Sequence, residues 1–162
     1  MYIFMITCYV LMFINLIDLI LVGTSGFFDH SIFGASHTRF SLFMILVFTV
    51  TETVVMFFFI ATGKAIKEAI ENGLGEKNLW LRERKLKMQL FPQLMLTITF
   101  VGGWVIHIGA VENQMATAPY HGIFFAIAFL HHLWTLKLKN SAFREQLNII
   151  EQLKPIEITD PS

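Results

Sequence analysis

Histidines and carboxylates set into apolar sequence hold most of the chemistry this chain has to offer. His37, His107 and His121 stand at the margins of long apolar runs, with Asp18 and Arg39 at similar positions, whereas Glu52, His131 and His132 lie deep inside such runs. An ionisable group at membrane depth is costly, so it usually faces a partner or a cavity. Neutral imidazoles from two helices suit the axial positions of a haem iron, and an arginine at the membrane edge suits its propionates. His37, Arg39, His107, His121 and His132 are therefore candidates for holding haem b. The plainer role for each histidine is a hydrogen bond to a carbonyl or carboxylate at a helix end.

Two other chemistries use the same residues. His107, His121 and His37 together with Asp18 match the ligand types of zinc or copper, although no HxxxH or ExxH pair occurs within one helix. The adjacent His131 and His132 point about 100° apart on a helix and do not converge on one ion. Glu52 near His132 suits proton handling, since burial disfavours the charged form of either group. Its structural counterpart is a neutral Glu52 bonded to His132, Thr49 or Thr53, tying helices together. Both versions place Glu52 toward the bundle interior.

The elements that must position these groups follow from hydropathy and charge. Four apolar runs, at about 2–22, 40–62, 91–111 and 120–138, approach the roughly 20 residues a helix needs to cross the hydrocarbon. The first lacks a basic start and contains Asn15 and Asp18, so a retained helix is expected there. Of the 12 Lys and Arg residues, all but Arg39 fall in 63–90 or in the stretch from Lys137 onward. The positive-inside bias then puts those segments and both termini in the cytoplasm. The expected fold is an all-α integral membrane protein: a four-transmembrane-helix up-down bundle over 1–140, with both termini cytoplasmic. An amphipathic cytoplasmic tail, 141–162, follows, its last residues disordered. The bilayer is expected to be a bacterial-type inner membrane.

Helical spacing refines the layout. His121, Phe125, Ala128, His132 and Thr135 make one stripe, which leaves His131 off it. Gly103, His107 and Ala110 make a second, Ser41, Phe48, Glu52 and Met56 a third, and Cys8, Met12, Asn15 and Asp18 a fourth. His107 and His121 are expected at matching depth on facing helices. Within 63–90, the second helix is expected to run on to Gly73 or Gly75. The stretch 76–90 is expected to lie along the membrane surface with Leu79, Trp80, Leu86 and Leu90 toward lipid. Pro92 then falls in the first turn of the third helix.

Composition narrows the function classes. A hydrophobic share of 55% and a mean hydropathy of +0.62 are too high for an ordinary soluble domain. The single cysteine, Cys8, allows no intrachain disulfide, and no CxxCH motif is present for covalent haem. GLGEKN lacks the GK[ST] ending of a phosphate loop, and no GxSxG elbow occurs. The basic cluster RERKLK reads as topogenic and lipid-facing, with no nucleic-acid partner implied. The expected function is a small membrane subunit with a histidine-lined site toward the outer side, binding b-type haem and passing electrons to quinone or a partner protein. The alternatives are a cofactor-free accessory subunit of a larger membrane complex or homo-oligomer, and a mononuclear metal-binding membrane protein.

Overall fold

The computed structural model describes residues 2–153. Among them the chain is helical, with no strand; Ile32 and Ala35 form an isolated bridge. Helix α1 (Tyr2–Phe28) leads through a short loop to α2 (His37–Glu71), whose first turn is capped by the Ser36 hydroxyl accepting from the Arg39 amide. An oxygen side chain there satisfies one of the orphan donors of a helix start. Asn72 ends α2 and Gly73 follows at φ +82°, a left-handed conformation that glycine adopts at low cost. Helix α3 (Lys77–Ile106), a short α4 (Ile108–Glu112) and a single 3-10 turn (Ala118–Tyr120) lead into α5 (His121–Glu151).

Three helical stretches are long and apolar enough to cross a membrane: Tyr2–Phe28, His37–Glu71 and Lys77–Glu112. The sequence suggested four. α5 falls outside the set because His121, His131, His132, Lys137 and Lys139 dilute its apolar residues. Those polar groups are unevenly placed: His132, Thr135 and Lys139 are fully buried, whereas Ile123, Phe124, Ile127, Leu130, Leu133 and Trp134 are exposed. α5 therefore presents an apolar outer face and hides its polar one.

The helices pack as a ring, α1 on α2, α2 on α3 and α3 on α5, with the α1–α5 seam the loosest. Pairings fix the register. Arg82 meets Glu145, Thr97 meets His131 and His107 meets His121, so α3 and α5 run antiparallel along their whole shared length. This overturns the surface-lying helix expected for 76–90. That segment is the first half of α3, continuous with the apolar half, and Leu79, Leu86 and Leu90 are buried in the bundle instead of facing lipid. Pro92 consequently sits inside α3 and not in its first turn. A proline there deprives the Met88 carbonyl of its helical donor, which costs less at an exposed position such as Met88. The segment from residue 141 is likewise not separate: it is a continuation of α5, and its end beyond 153 lies outside the described residues.

The core is layered. An apolar layer containing Leu19, Val22, Met44, Phe48, Val101 and Trp104 lies toward the end that carries His37, His107 and His121, here the histidine end. A second, with Cys8, Val55, Phe58, Phe59, Leu94 and Phe143, lies toward the basic end. Between them is a layer of buried polar side chains.

Candidate functional site

The histidine group is assembled by a break in the third helix. α3 stops at Ile106, four residues after the first glycine of the Gly102–Gly103 pair, and resumes as α4 at Ile108, leaving His107 at the junction. Glycines lower helical propensity, and the interruption falls just after the pair. His107 then stacks on His121, with ring planes 13° apart and Nδ1 atoms separated by 3.3 Å. That separation suits a hydrogen bond in which one ring's Nδ1–H donates to the other ring's lone pair. His37 meets the same group edge-on, its ring 5.9 Å from that of His121. Trp104, only 2% exposed, stacks against His121 at 5.4 Å.

His37 is oriented from α1. Its Nδ1 lies 2.9 Å from Ser25 Oγ, and the Ser25 hydroxyl donates to the Val22 carbonyl. With that proton committed, Ser25 accepts from His37 Nδ1–H, which leaves Nε2 as the basic nitrogen. Nε2 is buried with no hydrogen-bond partner, as are His107 Nε2 and Trp104 Nε1. Gly26 makes the approach possible: a Cβ there would stand 2.9 Å from His37 Cε1. A cavity of about 150 Å³ opens beside His37 and His121, with Gly23, Gly26, Gly122 and Trp104 in its wall.

This geometry can be set against the groups expected from sequence. Bis-histidine ligation needs the porphyrin plane between two imidazoles that approach it from opposite faces. His107 and His121 are in direct contact, and the cavity is smaller than the ~300 Å³ at which small-molecule sites begin. The residues present do not fit a haem in this arrangement. Among the described residues no group of three or more His, Cys, Asp or Glu side chains is placed to hold a metal ion. Asp18 lies two turns from Ser25 along α1, about 10 Å by helical rise, and does not complete such a group. Arg39 is exposed and joins no ion pair among the described residues.

The middle polar layer is the more unusual feature. Glu52 is fully buried and faces inward, but its partner is neither His132 nor a hydroxyl of α2. It is Lys139 of α5, also fully buried, with Nζ 2.5 Å from Oε1. By sequence, Lys139 belongs with the cytoplasmic charge cluster. The structure turns it inward because it continues the stripe of His132 and Thr135 at helical spacing, and its long side chain reaches across to α2. His132 lies in the same layer with its ring 5.1 Å from that of Phe48, and neither ring nitrogen has a partner. Asn15 accepts a hydrogen bond from Thr51 at 3.3 Å, while its Nδ2 is unpaired. His131, off the stripe, turns to α3, where its Nδ1 lies 2.9 Å from the Thr97 hydroxyl. Thr97 also reaches Thr135 at 3.3 Å.

Buried polar atoms in folded proteins are almost always paired. Here Asn15 Nδ2, Glu52 Oε2, His131 Nε2 and both nitrogens of His132 are buried and unpaired around one ion pair. Such a layer holds water or exchanges protons far more readily than an apolar core does. Lys139, Asn15, Thr51 and Thr97 were missed as site residues in the sequence. The available signal for Lys139 was its place on the His132 stripe; for Asn15 it was the shared stripe with Cys8 and Met12. No family model matches the chain, and no curated protein or solved structure matches it.

Proposed function

We propose that this chain is a small membrane-integral subunit whose mid-bundle layer takes up and releases protons, with the histidine group as its outer port. The observation that carries this reading is the fully buried Glu52–Lys139 pair surrounded by unpaired polar atoms. Replacing a buried ion pair by apolar residues is often neutral or stabilising, so stability alone gives weak grounds for keeping one. Chains of Asp, Glu and His inside membranes commonly serve proton transfer.

The steps follow from which atoms are free. At the outer end a proton meets the His107–His121 contact first, where the two Nδ1 atoms lie 3.3 Å apart. Deeper in, His132 has two free nitrogens, and Glu52 has a free Oε2. A proton arriving on Oε2 neutralises Glu52 and removes the attraction holding the Lys139 ammonium. Lys139 then loses a proton toward the basic end, and transfer from Glu52 to Lys139 restores the ion pair. The Phe48 layer above and the Phe58, Phe59 and Phe143 layer below close this chamber, so passage requires those side chains to part.

In liposomes carrying a trapped pH dye and a potassium diffusion potential, the protein is expected to raise proton influx above that of protein-free vesicles. The double variant Glu52→Gln/Lys139→Met, which keeps volume and removes both charges, is expected to return the flux to the background. Vesicles containing wild-type protein that stay as tight as empty ones overturn the reading.

The topology proposed with it has four crossings, with both termini and residues 63–90 in the cytoplasm of a bacterial-type inner membrane. The apolar exposed face of α5 supports its crossing, and the clustering of cations supports the orientation. In a Cys8→Ser background, a cysteine at position 78 is expected to react with a membrane-impermeant maleimide only after the membrane is opened. Labelling of intact cells reverses the orientation.

A redox role remains a second reading because of one feature. A groove of about 320 Å³ between α3 and α5 is lined by Phe100, Gly103, Trp104, Phe124 and Ile127, and Phe124 packs edge-on against His107 at 4.7 Å. A quinone ring suits that apolar, glycine-floored groove, with His107 as its proton donor. Tryptophan fluorescence unchanged by a quinone analogue removes this reading, and sharp α-bands in a reduced-minus-oxidised spectrum restore haem to it.

A further inference from the structure

At the basic end, α3 and α5 frame a groove of about 350 Å³ that the proton reading does not use. Its rim is polar, with Lys85 and Gln89 from α3 and Ser141 from α5, and Leu90 and Leu138 line it on the side of the apolar runs. One wall is an Arg82–Glu145 bridge: Arg82 donates from Nε and Nη2 to Glu145 Oε1 at 2.9 and 2.7 Å, and from Nη1 to Gln152 at 2.9 Å. That bridge cancels the charge of Arg82 against that of Glu145. Lys85 has no ion-pair partner among the described residues, which leaves the groove with an uncompensated ammonium beside a hydroxyl and an amide donor.

We infer that this groove binds the phosphate of an anionic phospholipid, with an acyl chain descending over Leu90 and Leu138. Three observations combine. The charge balance of the rim is positive and its free donors are of three kinds, which suits a phosphate oxygen set. The groove lies where the apolar halves of α3 and α5 give way to charged sequence, the depth of lipid headgroups in a protein that spans the bilayer. Its lower wall is apolar where a chain would enter. Basic pockets between helices at this level are the usual form of specific anionic-lipid recognition. The groove separates this site from general surface attraction, because it sets Lys85 beside Gln89 and Ser141 over an apolar wall, whereas Lys64 and Lys67 at the same end stand in exposed pairs with Glu68 and Glu71 one turn away.

The inference rests on the membrane reading above, and the experiment separates the two. Native mass spectrometry of the purified full chain, exposed to phosphatidylglycerol or phosphatidylcholine in detergent, is expected to show retention of one phosphatidylglycerol. Lys85→Ala should lower that retention ~tenfold, the loss of about one charge-assisted contact. Ser141→Ala is expected to lower it less, and Lys64→Ala should leave it unchanged. Equal retention of phosphatidylcholine, or an equal loss in Lys64→Ala, overturns the site. So does displacement of the lipid by inorganic phosphate at matching concentration, which would make the groove a simple anion site. Loss of lipid retention in a protein whose position 78 still labels only after permeabilisation counts against this groove alone.

Discussion

A Lys139→Met variant is expected to lose about 3–5 kcal/mol of stability, measured by unfolding in mixed detergent, because it strands a carboxylate in a core with no other cation paired to it. Glu52 has 0% exposure and no second hydrogen-bond partner for Oε2, so it must either take a proton or pull water inward. Raising pH should deepen the loss, since the protonated acid tolerates burial and the carboxylate does not. Glu52→Gln is expected to be damaging too. With His132 or a threonine as partner, the amide would be a near-neutral replacement; with Lys139 as partner, it leaves an ammonium without its counter-charge. The double variant Glu52→Gln/Lys139→Met should recover most of the loss, which makes the cycle strongly non-additive. Additive single and double effects would mean that the two side chains do not depend on each other in the folded protein. The ion pair would then be no basis for a proton-handling layer.

How much of this was legible in the sequence depends on which interactions are local. Helix existence was, because long apolar runs with few breakers admit little else. The stripes carrying Glu52, His132 and His121 were legible too, since helical spacing alone decides which residues share a face. Partner choice was not. Charge counting treats every lysine after the last apolar run as a topogenic cation, yet Lys139 is one helical step beyond Thr135 and turns inward. A rule about sides of a membrane does not capture a residue whose helical face decides its surroundings. The same happened at 76–90, where basic residues suggested a surface helix. Leu79, Glu83, Leu86 and Leu90 in fact recur at helical spacing and bury against the neighbouring helices, with Pro92 tolerated in mid-helix. The junction at His107 was hidden for another reason. A Gly102–Gly103 pair gives no sign of where the helix is interrupted, and a Cβ on Gly103 would meet nothing within 4 Å; the interruption falls at His107, beside His121. Direct contact between these rings leaves no space between them for a porphyrin plane, which residue types alone do not reveal.

Trp104→Ala is expected to be the most disruptive single change at the histidine end, at about 3–5 kcal/mol for truncating a large buried aromatic. Trp104, on α3, packs on two other helices at once: His37 of α2 at 5.9 Å, and His121 and Phe125 of α5 at 5.4 and 5.0 Å. Removing it opens a cavity next to the existing one and frees His121 to leave His107. Trp104→Phe should cost less than about 1.5 kcal/mol, because it retains most of the packing area and also removes an indole N–H that has no partner. The two variants therefore separate packing from hydrogen bonding. Imidazole NMR signals give the second readout: in the alanine variant the His107–His121 hydrogen bond should be lost, while in the phenylalanine variant it should persist. If both variants keep that hydrogen bond and unfold like wild type, Trp104 does not hold the histidine group together. The port would then be fixed by Ser25, Gly26 and the α3–α4 junction alone.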